Sequence, residues 1–232
     1  MPVTAIFAGL AGGMLLAAVG LALWDGFRPT PGLSRAVWAI GWVAGTLLLV
    51  GAMLAWWEGH RLSSFVWRLI FMAALAAPSG IRHRHRLPWS SAVRTLPALI
   101  LAGIALFQIA GPVDGNGDSL VTPMKLALVF CGGLGTRSLG EALSEIIDPT
   151  SSIKWPAAAT CALLTLLVSG AALVNLWQRG MLWKGTTEEG LLAGTWLAWV
   201  AAWLGPRERP RLRAVLITGA ALLLCWTALT FP

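Results

Sequence analysis

Three histidines are the only imidazoles in these 232 residues, and each sits in a polar stretch between apolar runs. His60 lies in Trp56-Trp57-Glu58-Gly59-His60-Arg61-Leu62-Ser63-Ser64. A neutral imidazole beside aromatic rings could serve as an axial ligand for haem iron. The plainer reading is a solvated loop histidine between Glu58 and Arg61. His83 and His85 alternate with arginine in Arg82-His83-Arg84-His85-Arg86. Such a run could bind phosphate or lipid headgroups or sense pH, or simply be a positive cluster that keeps its turn in the cytoplasm. Two histidines at i, i+2 do not share a helical face, so they make a poor metal pair. The third constellation is Trp177-Gln-Arg-Gly180-Met-Leu-Trp183-Lys-Gly-Thr-Thr-Glu-Glu189, which leads on to Trp196, Trp199 and Trp203. It offers an external aromatic platform for a flat, apolar cofactor, or else an interfacial tryptophan belt followed by an ordinary helix cap.

Other chemistry is sparse. No HExxH, GxSxG or phosphate-cradling glycine loop is present, and no carboxylate pair inside an apolar run marks a proton path. Cys131, Cys161 and Cys225 lie far apart, each inside an apolar run, without a Cys-x-x-Cys couple. They read as packing residues. The expectation is a protein that is not an enzyme.

The elements that must position these residues are eight apolar runs, at 3–24, 36–57, 63–80, 92–111, 120–143, 156–176, 190–204 and 214–231. Most are long enough for a helix to cross a bilayer, which takes about 20 residues. The chain is 57% hydrophobic and 12% charged, with a mean hydropathy of +0.73. That is more apolar surface than a soluble core of this size could hide. Arginine and lysine concentrate on alternate connections: Arg28 and Arg35, then Arg82 to Arg94, then Lys154, then Arg207 to Arg213. The positive-inside rule places those connections in the cytoplasm and both termini outside. The N-terminus lacks the basic flank of a cleaved signal, so 3–24 is expected to stay as the first span. The net charge of +7 is assigned to anionic lipid and topology, not to nucleic acid. The fold class that follows is an all-α, polytopic membrane bundle of about eight transmembrane helices, with residues 1–232 as a single integral membrane domain. The fifth and seventh spans are the weakest, one for its charges and the other for its length. Thr186 or Thr187 is expected to cap the seventh, with Glu188 and Glu189 favoured by its dipole. Arg137 and Glu141 are spaced to pair at i, i+4. Gly9, Gly12, Gly13, Gly41, Gly45, Gly132, Gly133, Gly135, Gly190 and Gly194 would permit close helix approach in lipid.

Three segments in order give a family resemblance. Gly59-His60-Arg-Leu62-Ser63-Ser-Phe-Val-Trp-Arg-Leu69-Ile70-Phe71 is similar to the Gly-His-x-Pro-Leu-Ser-Asn-x-Tyr-Glu-Ser-Leu-Ile-Phe stretch of the haem-handling cytochrome c assembly family, the CcsA type of System II with its HemX-like relatives. Leu120-Val121-Thr-Pro123 and Leu139-Gly140-Glu141-Ala142-Leu143 resemble stretches around that family's fifth span. The segment from Gly180 through Trp183 to Glu189, with Thr195-Trp196 beyond it, resembles the family's tryptophan-rich external loop. The resemblance implies an eight-span bundle with outside termini in a bacterial inner membrane. It also implies a haem-facing surface with His60 as metal ligand and Gly180, Trp183, Glu189 and Trp196 as cofactor-binding residues. Further family histidines would fall near Gly133, at Leu204 or Gly205, and beyond Pro232. The chain is therefore expected to be a degenerate haem-handling protein that lacks full haem ligation. Its partners would be membrane lipids and other membrane subunits or cytochrome c assembly proteins. Two alternatives stand beside it: a non-catalytic structural subunit of a respiratory or photosynthetic complex in electron transport, and a HemX-like regulator of haem synthesis.

Overall fold

The computed structural model describes residues 3–27, 32–57, 63–78, 90–110, 123–149, 155–205 and 208–231. These form eight α-helices: α1 (Val3–Phe27), α2 (Leu33–Trp57), α3 (Ser64–Ala76), α4 (Ser90–Ala110), α5 (Pro123–Ile147), α6 (Trp155–Arg179), α7 (Thr187–Leu204) and α8 (Pro210–Thr230). His60, His83, His85, the whole of Arg82 to Arg86 and the acidic stretch 111–118 lie outside the described residues.

Every apolar run becomes one helix, and the offsets at the ends have local causes. Ser63 caps α3 by accepting from the Val66 N–H at 3.3 Å. Pro78 stops that helix short of the apolar run, because proline has no N–H to extend the helical ladder. Helix α5 instead runs past its apolar stretch to Ile147, and Pro149 follows. Helix α8 opens on Pro210, in the first turn where the missing donor costs nothing. Arg35–Leu54, Trp155–Arg179 and Pro210–Thr230 are long and apolar enough to cross a membrane, and Gly9–Trp24, Ser64–Ala76 and Ala92–Gln108 are shorter apolar helices.

The helices stand in two rows of four. One row runs α2, α3, α8, α7 and the other α1, α4, α5, α6, with each helix packed on its row neighbour and on the one opposite; α3 also meets α5. Successive helices alternate in direction, as the contacts between their ends require. Arg68 near the start of α3 reaches the end of α8, and Asn175 near the end of α6 reaches the start of α7. At the opposite end, Arg94 of α4 donates from Nε to Ser144 Oγ of α5 at 3.3 Å. The end that carries the 180–186 connection is called upper here, and the other lower.

Helix α5, one of the two weakest runs by sequence, lies at the centre: Leu128, Val129 and Cys131 through Thr136 are buried. Small residues make this possible. A Cβ on Gly133 would stand 2.7 Å from Leu75, and one on Gly132 2.8 Å from Ala228. On α2, Gly41 and Gly45 face the backbone of α3, and a Cβ on Gly45 would come within 2.7 Å of the Ala74 carbonyl oxygen. Gly9, Gly12, Gly13, Gly190 and Gly194 face open space, so they are not at helix crossings. Buried hydroxyls bridge the helices. Thr195 and Thr227 share a hydrogen bond at 2.9 Å between α7 and α8, and the hydroxyl that accepts in it donates its own proton to the carbonyl four residues back, which satisfies polar groups without water.

Tryptophans mark both ends. Trp57 and Trp177 are exposed at the upper end, Trp24 and Trp155 at the lower, where amphipathic rings suit a membrane–water boundary. Trp89 lies outside the described residues. Lower-end arginines lie over two rings: Arg213 is 5.0 Å from the Trp203 centroid and Arg137 5.9 Å from that of Trp155.

Candidate functional site: a crevice beneath a pinned loop

Between α6 and α7 the chain makes a short connection whose shape is set by two glycines and one carboxylate. Gly180 ends α6 with φ +68°, and Gly185 precedes the α7 cap with φ +74°, both in the left-handed region that a side chain resists. Thr186 caps α7, its Oγ1 accepting from the Glu189 N–H at 3.3 Å. Glu189 completes the arrangement from the third helical position. Its Oε2 accepts from the N–H groups of Lys184 at 2.6 Å and Gly185 at 3.1 Å. Its Oε1 accepts from Asn175 Nδ2 of α6 at 2.7 Å. In a capping box the glutamate reaches the cap residue's own N–H; here it reaches the two residues before the cap and so ties the loop to both helices.

The Glu189 carboxyl is held below the usual carboxylate range. Desolvation pushes it up, but the hydrogen bonds from Lys184, Asn175, Thr186 and Gly185 together outweigh that. The carboxylate's contribution to loop order is therefore present above the ordinary carboxylate pKa of about 4.3 and is lost as pH falls through the lower, folded-state value. Glu189→Gln is expected to speed amide exchange at 184 and 185 at neutral pH by roughly tenfold, read by hydrogen-exchange mass spectrometry. The same peptide in the unsubstituted protein should loosen only below the ordinary carboxylate range.

Beneath this loop lies a crevice of about 680 Å³. Leu166, Leu167 and Val174 of α6 and Leu192 of α7 form its apolar sides, with Met124 of α5 and Phe231 after α8 completing them. Its mouth carries Trp183, Lys184, Thr186, Glu188 and the Glu189–Asn175 pair. The volume is in the range of small-molecule sites, and the lining has their usual character of hydrocarbon walls with a few polar groups at one place.

The residues singled out by sequence divide accordingly. Trp183 and Glu189 line the crevice together, and Gly180 shapes the loop without lining it. Trp196 lies deeper, its Nε1 donating to Thr165 Oγ1 of α6 at 3.0 Å. Trp199 is fully buried, and Trp203 stands at the lower end against Arg213, so neither belongs to an external platform. His60 lies outside the described residues; its neighbours Trp57 and Ser63 belong to α2 and α3, which do not line the crevice. Asn175, Met124 and Phe231 were not found from sequence. Only Asn175 left a signal, as the one carboxamide inside the sixth apolar run.

Haem of the kind the resemblance implies needs paired axial ligands. Among the described residues, the crevice walls offer the Met124 thioether and no imidazole or thiolate, and the mouth sets two carboxylates against one ammonium. No group of three His, Cys, Asp or Glu among the described residues is placed to hold a metal ion. These walls do not fit haem held through its iron. Compared with protein family models, curated proteins and solved structures, the chain matches none.

Proposed function

We propose that this chain is an eight-span protein of a bacterial inner membrane and a degenerate relative of the haem-handling cytochrome c assembly proteins. It retains the bundle and the tryptophan-bearing loop but lacks full haem ligation. One observation carries this reading: the loop from Gly180 to Glu189, third of the resembling segments, is a preorganised structure at the end opposite the described arginines Arg35, Arg209, Arg211 and Arg213. With the positive-inside rule, this favours an outward-facing loop and outside termini. In this reading His60 is the remaining candidate iron ligand, and Trp183 and Trp196 are remnants of a ring-facing surface.

Haemin titration of the purified chain, followed at the Soret band, tests it. Binding is expected to be no tighter than about 1 µM, and His60→Ala should abolish any low-spin component. Tight binding with a bis-imidazole spectrum would contradict the loss of ligation, and an absent response at every haemin concentration would remove the haem ancestry as a working function.

A second reading, a structural subunit of a larger membrane complex, is favoured by the outer flank of α6. Among the described residues that helix packs chiefly on α5 and α7, and it leaves Leu173 and Leu176 exposed away from the crevice. Copurification with redox subunits at fixed stoichiometry, without haem, would select it.

A further inference from the structure

The crevice itself points to a ligand that the haem reading does not supply. Its sides are hydrocarbon from α5, α6 and α7 and from Phe231 beyond α8, and a flexible aliphatic tail fills such a space without needing any polar partner. The mouth decides the head group. Glu189 has its two oxygens occupied by three N–H donors, so its charge is already answered from within the protein. The remaining charges there are one of each sign, Lys184 and Glu188. An anionic head would meet Glu188 and a cationic head Lys184, each losing hydration without net gain. A head group that is polar but uncharged loses least, and Thr186 and Trp183 offer hydroxyl and indole groups to it.

We infer that the crevice beneath the 180–186 loop binds an uncharged, long-tailed amphiphile, the chemistry shared by isoprenoid quinones and acylglycerols. The inference goes beyond the haem reading and does not depend on it, because neither His60 nor iron takes part.

Two substitutions test it in the full chain held in amphipol, using a diazirine-bearing monoacylglycerol as photolabel. Gly170 lies on the α6 wall, where an added Cβ meets no atom within 4 Å, so Gly170→Phe fills the crevice without striking the backbone. Label is expected on the peptides spanning 166–175 and 183–192. Gly170→Phe should lower it at least fivefold, while Gly103→Phe on α4, equally open but away from the crevice, should leave it unchanged. Decylubiquinone and monoolein are the competing neutral probes. The one that displaces the label at lower concentration identifies the quinone or acylglycerol source. Oleate and dodecyltrimethylammonium should compete at least fivefold less well than the better neutral probe. Glu188→Lys should bring oleate up towards the neutral probe, a readout that a change in folding alone would not produce. Label spread evenly over all helices, label indifferent to Gly170→Phe, or either charged probe competing as well as the neutral ones would overturn the inference.

Discussion

Arg68→Ala is expected to destabilise the protein by about 3 kcal/mol, as measured by denaturant unfolding in detergent. The residue is buried. Its Nη1 donates to the backbone carbonyls of Ala228 at 3.3 Å, of Leu229 at 3.0 Å and of Phe231. A helix leaves its last four carbonyls without internal partners and gathers partial negative charge there. At the α8 end the Ala228 carbonyl is buried and that of Leu229 half-buried, and the guanidinium of α3 satisfies both. Removing it strands several acceptors at once. Arg68→Lys keeps the charge but presents a compact ammonium in place of a planar fork, and should recover about half of the loss. Because Phe231 also lines the crevice, Arg68→Ala should also speed amide exchange in the last turn of α8. A change below about 0.5 kcal/mol would mean that the α8 end finds other partners.

Gly140→Leu should be at least as damaging, at about 3 kcal/mol or more, since overpacking a tight contact commonly costs 1–3 kcal/mol and here the obstacle is backbone. A Cβ at Gly140 would run into the carbonyl of Arg94 on α4. Neither helix could yield without disturbing the Arg94–Ser144 contact beside it. The comparison that isolates packing from propensity is Gly194→Ala, at a position facing open space. There alanine should be neutral or stabilising by up to about 1 kcal/mol, from helix propensity alone. Equal effects at the two positions would show that the α4–α5 approach is looser than described.

Much of the architecture was legible because apolar length and turn chemistry are local signals. All eight runs reappear as helices, and of the two threonines expected to cap the seventh, Thr186 does so. What spacing could not supply was the identity of the facing partner. Gly41 and Gly45 face α3 at close range, whereas Gly190 and Gly194, with the same spacing, face nothing. A small residue permits close approach but does not summon a neighbour. Trp196, Trp199 and Trp203 share one helical face and read as a platform; that face turns inward, so Trp199 becomes core. Arg68 is the only charge inside the third run, and nothing near it in the sequence names its partner. Its role depends on a helix end about 160 residues later. The crevice draws on residues near 124, 166–175, 183–192 and 231, a set with no local pattern.

The most direct test is labelling of single cysteines by a membrane-impermeant maleimide in intact spheroplasts, in a background where Cys131, Cys161 and Cys225 are replaced. Leu182→Cys, in the exposed loop of the upper end, should be labelled from outside. Glu208→Cys, exposed at the lower end between α7 and α8, should react only after permeabilisation. Labelling of both from the same side would contradict a membrane-crossing bundle with an outward crevice, and the reverse pattern would contradict its orientation.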